Sequence, residues 1–135
     1  MKQIIELEKL KTGLLEPGII EIIFKGGCVI EVKDVMKLRE INLKISENKP
    51  YTVLVQAEEF TSFSKEVREF LASRAFAGKT IAKALVFKGV GQHILAGFYL
   101  RVNKPYIKTK IFSSRNKAID WLREEYLFKT KNINE

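Results

Sequence analysis

Pro50-Tyr51-Thr52-Val53-Leu54-Val55 is the stretch on which the fold turns. Every residue after the proline is apolar or β-branched, so a strand here has no wet face. Such a strand belongs in a sheet covered on both sides. Pro50 suits the position before it, where a fixed φ and a missing N–H do least harm. Moving outward, Ile19-Ile20-Glu21-Ile22-Ile23-Phe24 follows Pro17-Gly18 and closes at Gly26-Gly27. Ile81 to Phe87 is a third apolar run, interrupted by Lys83. After Pro105, Tyr106-Ile107-Lys108-Thr109-Lys110-Ile111 alternates, which predicts a half-exposed strand near a sheet edge. The opening segment, about Ile4 to Leu15, also alternates in places. It is expected to pair with the Ile19 run as a hairpin across Glu16-Pro17-Gly18 and to form the other edge.

Helical patterns separate these strands. From about Val32 to Ile45, Val35, Leu38, Ile41 and Ile45 recur at spacings of three and four, one apolar stripe. Glu31 and Asp34 near its start suit the positive end of the helix dipole. From about Ser64 to Ala75 the stripe is Val67, Phe70 and Leu71, with Ser62 or Ser64 as N-cap. From about Gly91 to Val102, Ile94, Leu95, Phe98 and Val102 are expected to form the buried face. The last helix starts behind Ser113-Ser114 and is expected to bury Ala118, Ile119 and Leu122, with Trp121 beside them. Strands alternating with helices argue for right-handed crossovers and a mostly parallel sheet. The expectation is one α/β domain over residues 1–128, with about five strands, an N-terminal antiparallel hairpin and about four helices. A polar tail, 129–135, is expected to fray.

The chain of 135 residues suits one domain, and 46% hydrophobic against 30% charged supplies one continuous core. Cys28 is the only cysteine, so no internal disulfide is possible and a reducing, cytoplasmic setting is expected. The charged N-terminus is unlike a signal peptide, and no run approaches the roughly 20 apolar residues of a spanning helix. Residues 1–78 carry 12 Lys+Arg and 12 Asp+Glu, whereas 79–135 carry 12 Lys+Arg and four acids, so the whole +8 lies in the second part. Such asymmetry suits an anionic partner, or simply a solvated surface with a basic tail. Nucleic acid fits poorly, because only Tyr106 stands near Lys108 and Lys110 as a stacking platform.

Two segments carry a family resemblance. Lys117-Ala118-Ile119-Asp120-Trp121-Leu122, after a short basic strand, resembles the C-terminal signature of the SpoIIAA-like proteins, relatives of the STAS domains that include anti-sigma-factor antagonists. Val53-Leu54-Val55-Gln56-Ala57-Glu58-Glu59-Phe60-Thr61-Ser62-Phe63-Ser64 resembles the STAS strand-to-helix junction, whose loop holds a phosphorylatable serine. The element order also matches over about residues 3–128. The resemblance implies a SpoIIAA-like or STAS-like fold and a regulatory role through a protein partner or a homodimer. Phe60, Thr61, Ser62 and Ser64 would then form the partner or phospho-acceptor loop. The antagonist motif looks like Asp-Ser followed closely by Gly; here Thr61 precedes Ser62 and no glycine follows, so both serines read more simply as helix caps. SpoIIAA-like folds are also similar to lipid-binding CRAL-TRIO domains, which implies a small apolar ligand as the alternative.

No set of groups reads as a catalytic centre, so no enzyme activity, cofactor or metal is expected. His93 is the only histidine, and no ligand spacing supports zinc. A Cys28–His93 nucleophile pair would need the fold to unite two distant residues. Cys28 more simply packs as a small hydrophobe. Lys88, Gly89 and Gly91 stand between a strand and a helix, where backbone N–H groups can hold an anion. They lack both the third glycine of a dinucleotide loop and the Gly-Lys-Ser/Thr of a P-loop, and a tight turn is the simpler explanation. Phe60, Phe63, Phe70 and Phe76 cluster in sequence and suit a core, a pocket lining or a dimer surface.

Overall fold

A strand without a wet face must lie inside, and Tyr51–Ala57 does. The computed structural model describes residues 1–133. Its main sheet contains β1 (Lys2–Glu6), β2 (Leu10–Glu16), β3 (Ile19–Phe24), β5 (Tyr51–Ala57), β7 (Thr80–Val86) and β8 (Lys108–Phe112). Two-residue strands β4 (Val29–Ile30) and β6 (Ser62–Phe63) make a separate parallel pair. The helices are α1 (Val32–Ile45), α2 (Lys65–Ala72), α3 (Arg74–Ala77), α4 (Val90–Phe98) and α5 (Arg115–Ile133). A π-helical turn, Tyr99–Asn103, continues α4.

The sheet order is β1-β2-β3-β5-β7-β8. β1, β2 and β3 are antiparallel neighbours; β3, β5, β7 and β8 are parallel. Because the parallel strands advance in one direction, crossovers of one hand put α1 through α4 on a single face. The opposite face would be bare, and α5 covers it. Ala118, Ile119 and Leu122 of α5 pack there against Ile19, Leu54, Ala82 and Ala84. Ser114 Oγ accepts from Lys117 N at the start of α5, and Arg115 pairs with the buried Glu21 of β3 at 3.0 Å. At the hairpin between β2 and β3, Gly18 has φ +86°, and a Cβ there would lie 2.7 Å from the Tyr126 ring of α5. Glycine is required at that turn on both counts.

The α/β sheet, the hairpin and the parallel order match the reading of the sequence, with several corrections. The opening segment is two strands, not one, because the chain turns back at Leu7–Lys9 with Leu7 N donating to Leu10 O. The sheet therefore has six strands, and β1 forms the edge. The expected helix 64–75 breaks at Ser73, whose hydroxyl accepts from Phe76 N and starts α3. The last helix continues through Ile133, five residues past the expected boundary at Phe128, so 129–133 do not fray away from it; residues 134–135 lie outside the described residues. The largest correction concerns α4. Its buried residues are Ala96 and, in the π-turn, Tyr99, while Ile94 (66% exposed), Leu95, Phe98 and Val102 face solvent. Periodicity identifies an apolar stripe but not whether another element lies against it.

Candidate functional site

The two faces of the sheet are filled differently. Under α5, small side chains let helix and sheet close up: Ala82, Ala84 and Ala118 are fully buried. On the other face, an apolar cavity of about 90 Å³ remains between the sheet and α1–α4. Ile22, Val53 and Leu85 form its floor, and Leu38, Leu71 and Phe76 its walls. Phe63 packs edge-on against Phe24 at 5.1 Å, and Phe70 against Phe76 at 5.5 Å, which holds the wall aromatics in place.

Three cationic side chains line this apolar space: Arg39, Arg68 and Lys83; among the described residues no carboxylate does. Lys83 is 5% exposed on β7, and its Nζ lies 5.7 Å from the Phe76 ring centre and 5.8 Å from that of Tyr99. These are cation–π distances, and no ion pair to Lys83 is present among the described residues. Burial pushes its ammonium down to about 8, because the charged form loses its hydration. Tyr99, 8% exposed, has a buried hydroxyl with no hydrogen-bond partner, and burial holds this phenol well above its usual range. The Nε atoms of Arg39 and Arg68 are likewise buried and unpaired, although Arg68 uses one terminal nitrogen on Phe63 O at 2.6 Å. Asn42, also on the lining, is satisfied: its Oδ1 accepts from Thr12 Oγ1 at 2.8 Å.

The residues singled out from the sequence gather elsewhere. Phe60, Lys88, Gly89 and Gly91 line one wider cleft, of about 620 Å³, at the carboxyl ends of β5 and β7. That is the end of an open α/β sheet where ligands commonly bind. Phe60 is 85% exposed with φ +64°, a left-handed conformation that is strained for a phenylalanine. Thr61, Ser62 and Ser64 do not line the cleft. Thr61 Oγ1 donates to Lys25 O at 2.8 Å, Ser62 belongs to β6, and Ser64 Oγ accepts from Val67 N as the N-cap of α2. The chain bends at Gly89, the N-cap of α4, but neither Gly89 nor Gly91 has positive φ, and a Cβ at either meets nothing within 4 Å. The polar groups of this cleft are largely engaged, with Glu58 accepting from Gly26 N and Gln92 donating to Ala57 O, both at 3.0 Å. Cys28 Sγ bonds Gly26 O and His93 Nε2 bonds Phe87 O, each a backbone carbonyl.

Lys83, Tyr99, Arg39 and Arg68 were not legible as a site. One signal was present: Lys83 stands inside an otherwise apolar strand, Ile81-Ala82-Lys83-Ala84-Leu85, where a charge is costly unless something balances it.

A crystal structure of an uncharacterised protein of the DUF3478 family with a SpoIIAA-like fold, from Shewanella loihica PV-4, is similar to this chain. The TM-score is 0.59 at 14% identity, covering 87% of this chain and 96% of that one. The expected SpoIIAA-like fold is thereby shown. No protein with a curated description matches. A family model described as a domain of unknown function, DUF7793, matches residues 14–126, nearly the full run of elements from β2 into α5. The chain belongs to the DUF7793 family.

Proposed function

We propose that this domain works by binding rather than by catalysis, and that it takes a small apolar molecule in the cavity between the sheet and α1–α4. The carrying observation is a cavity with apolar walls that nevertheless holds a buried hydroxyl without a partner, that of Tyr99, and a buried ammonium, Lys83, with no ion pair among the described residues. Protein interiors normally close such gaps and pair such groups. Ligand sites are apolar concavities with a few convergent polar groups. A volume of about 90 Å³ accommodates the head of a ligand. The lone thiol suits a reducing cytoplasm as the place of action.

The test is native mass spectrometry of the full chain purified without denaturation, with thermal shifts in the presence of octanol and octanoate. A retained small-molecule mass, or a rise in Tm with either additive, supports the reading. A bare chain that neither additive stabilises overturns it.

A second reading, regulatory binding of a protein partner or of a second copy, is favoured by exposed apolar side chains. Val90, Ile94 and Val102 along α4 and its π-turn, and Phe60 in the adjoining loop, present apolar surface to solvent. Sedimentation at rising concentration, together with the double substitution Ile94→Glu and Val102→Glu, addresses self-association. A wild-type dimer lost in that variant supports it, and a monomer throughout counts against it.

A further inference from the structure

We propose that the cavity selects a ligand bearing a single carboxylate, which the Lys83 ammonium and the Tyr99 hydroxyl hold at the deep end of the space. This rests on the reading of the cavity as a ligand site and specifies the chemistry of its occupant. Lys83 and Tyr99 come from different layers of the fold, a central strand and the π-turn after α4, and both line the same space. Each is more than nine-tenths buried. The Tyr99 hydroxyl has no partner, and Lys83 Nζ lies near the ring faces of Phe76 and Tyr99 with no ion pair among the described residues. The charged and titratable groups facing Lys83 across the cavity are Arg39 of α1, Arg68 of α2, Tyr51 of β5 and Tyr99. Below the phenol range, none of them carries negative charge. The balancing anion must therefore come from what binds.

The arrangement suits a carboxylate more than a phosphate. One ammonium and one neutral hydroxyl donor match the two oxygens of a singly charged, planar group. A phosphate, larger and more highly charged, is matched best by a bidentate arginine fork. Arg39 and Arg68 line the same space, but Arg68 already spends one terminal nitrogen on Phe63 O, and octyl phosphate is the arm of the test that decides between the two anions. The depressed Lys83 value of about 8 in the empty cavity still leaves most molecules charged at neutral pH. A bound anion favours that charged form.

The experiment is isothermal titration calorimetry of the full chain at pH 7 with octanoate, octanol and octyl phosphate, repeated on Lys83→Met and Tyr99→Phe. Methionine keeps a flexible apolar stem in the buried site, so this variant retains the fold. Octanoate is expected to bind wild type at least tenfold more tightly than octanol, with octyl phosphate weaker than octanoate. Lys83→Met is expected to abolish the preference, and Tyr99→Phe to weaken octanoate several-fold. Octanol binding as tightly as octanoate overturns the carboxylate assignment and leaves the cavity reading standing. So does a preference that survives in Lys83→Met. Octyl phosphate binding more tightly than octanoate overturns the choice of anion. Failure of all three ligands on wild type overturns the cavity reading itself.

Discussion

The face of the sheet under α5 and the face under α1–α4 use the same strands and reach opposite outcomes. Alternate residues of β7 show it most simply. Ala82 and Ala84 point toward α5 and close the gap to Ala118 and Leu122, whereas Lys83 and Leu85 point into the cavity. Small side chains allow one helix to approach closely and leave no void. The other face is roofed by several shorter helices that meet at angles set by their loops, and their large side chains leave space at the centre. One face is built for stability, and the other keeps room and unpaired donors in reserve.

The comparison can be broken first on the tight side. Leu122→Ala removes a fully buried side chain from the dry face and is expected to cost about 4 kcal/mol, read as the midpoint shift in urea unfolding. A cost under about 1 kcal/mol would show that this face is not tightly packed.

Lys83→Met is expected to act in the opposite direction. The folded ammonium titrates at about 8 against about 10.5 in the unfolded chain, so between those values the unfolded state holds more protons. Wild-type stability therefore rises with pH through that window and is lowest below it. The full difference is about 3 kcal/mol, and the variant gains it at pH 7. Above about pH 10 the phenols reverse the trend, because burial holds Tyr51 and Tyr99 protonated in the folded state after the unfolded chain has released those protons. Urea unfolding between pH 7 and 9.5 checks the prediction, and it fails if wild type and Lys83→Met run parallel.

A smaller effect sharpens the contrast directly. Ala84→Leu forces extra methyls into the α5 side and is expected to cost about 1–3 kcal/mol. Ala96→Leu, which points into the cavity, is expected to cost nothing or to stabilise while blocking octanoate binding. Equal losses for both would remove the distinction between the two faces. The smallest effect belongs to Arg123→Ala. Its guanidinium grips Glu16 at 2.7 Å and holds that carboxyl below the usual range, but the pair is exposed. A small loss in urea unfolding, shrinking in high salt, is expected.

Much of this frame was legible in the residues. The run after Pro50 does lie in the centre of the sheet, the stripe Val35, Leu38 and Ile41 does face the core, and Ser64 and Ser114 are caps. These follow from local rules, in which side-chain period and the free N–H groups of a first turn decide the conformation. Phe60, Lys88, Gly89 and Gly91, singled out in separate segments of the sequence, share one cleft, whereas Thr61, Ser62 and Ser64 do not line it.

What the sequence by itself determined is the identity of the elements, their order, the parallel sheet and the charge asymmetry. Tertiary structure alone decided which apolar stripes are covered and which space is left empty. Ile94 and Val102 have the spacing of a buried face and are exposed, because among the described residues no element covers that side of α4 and its π-turn. Lys83 read as an interruption in a strand, and it is one of three cations lining the cavity. The physical reason is common to both: periodicity is a property of one element, whereas a void and an unpaired donor arise only where several elements meet.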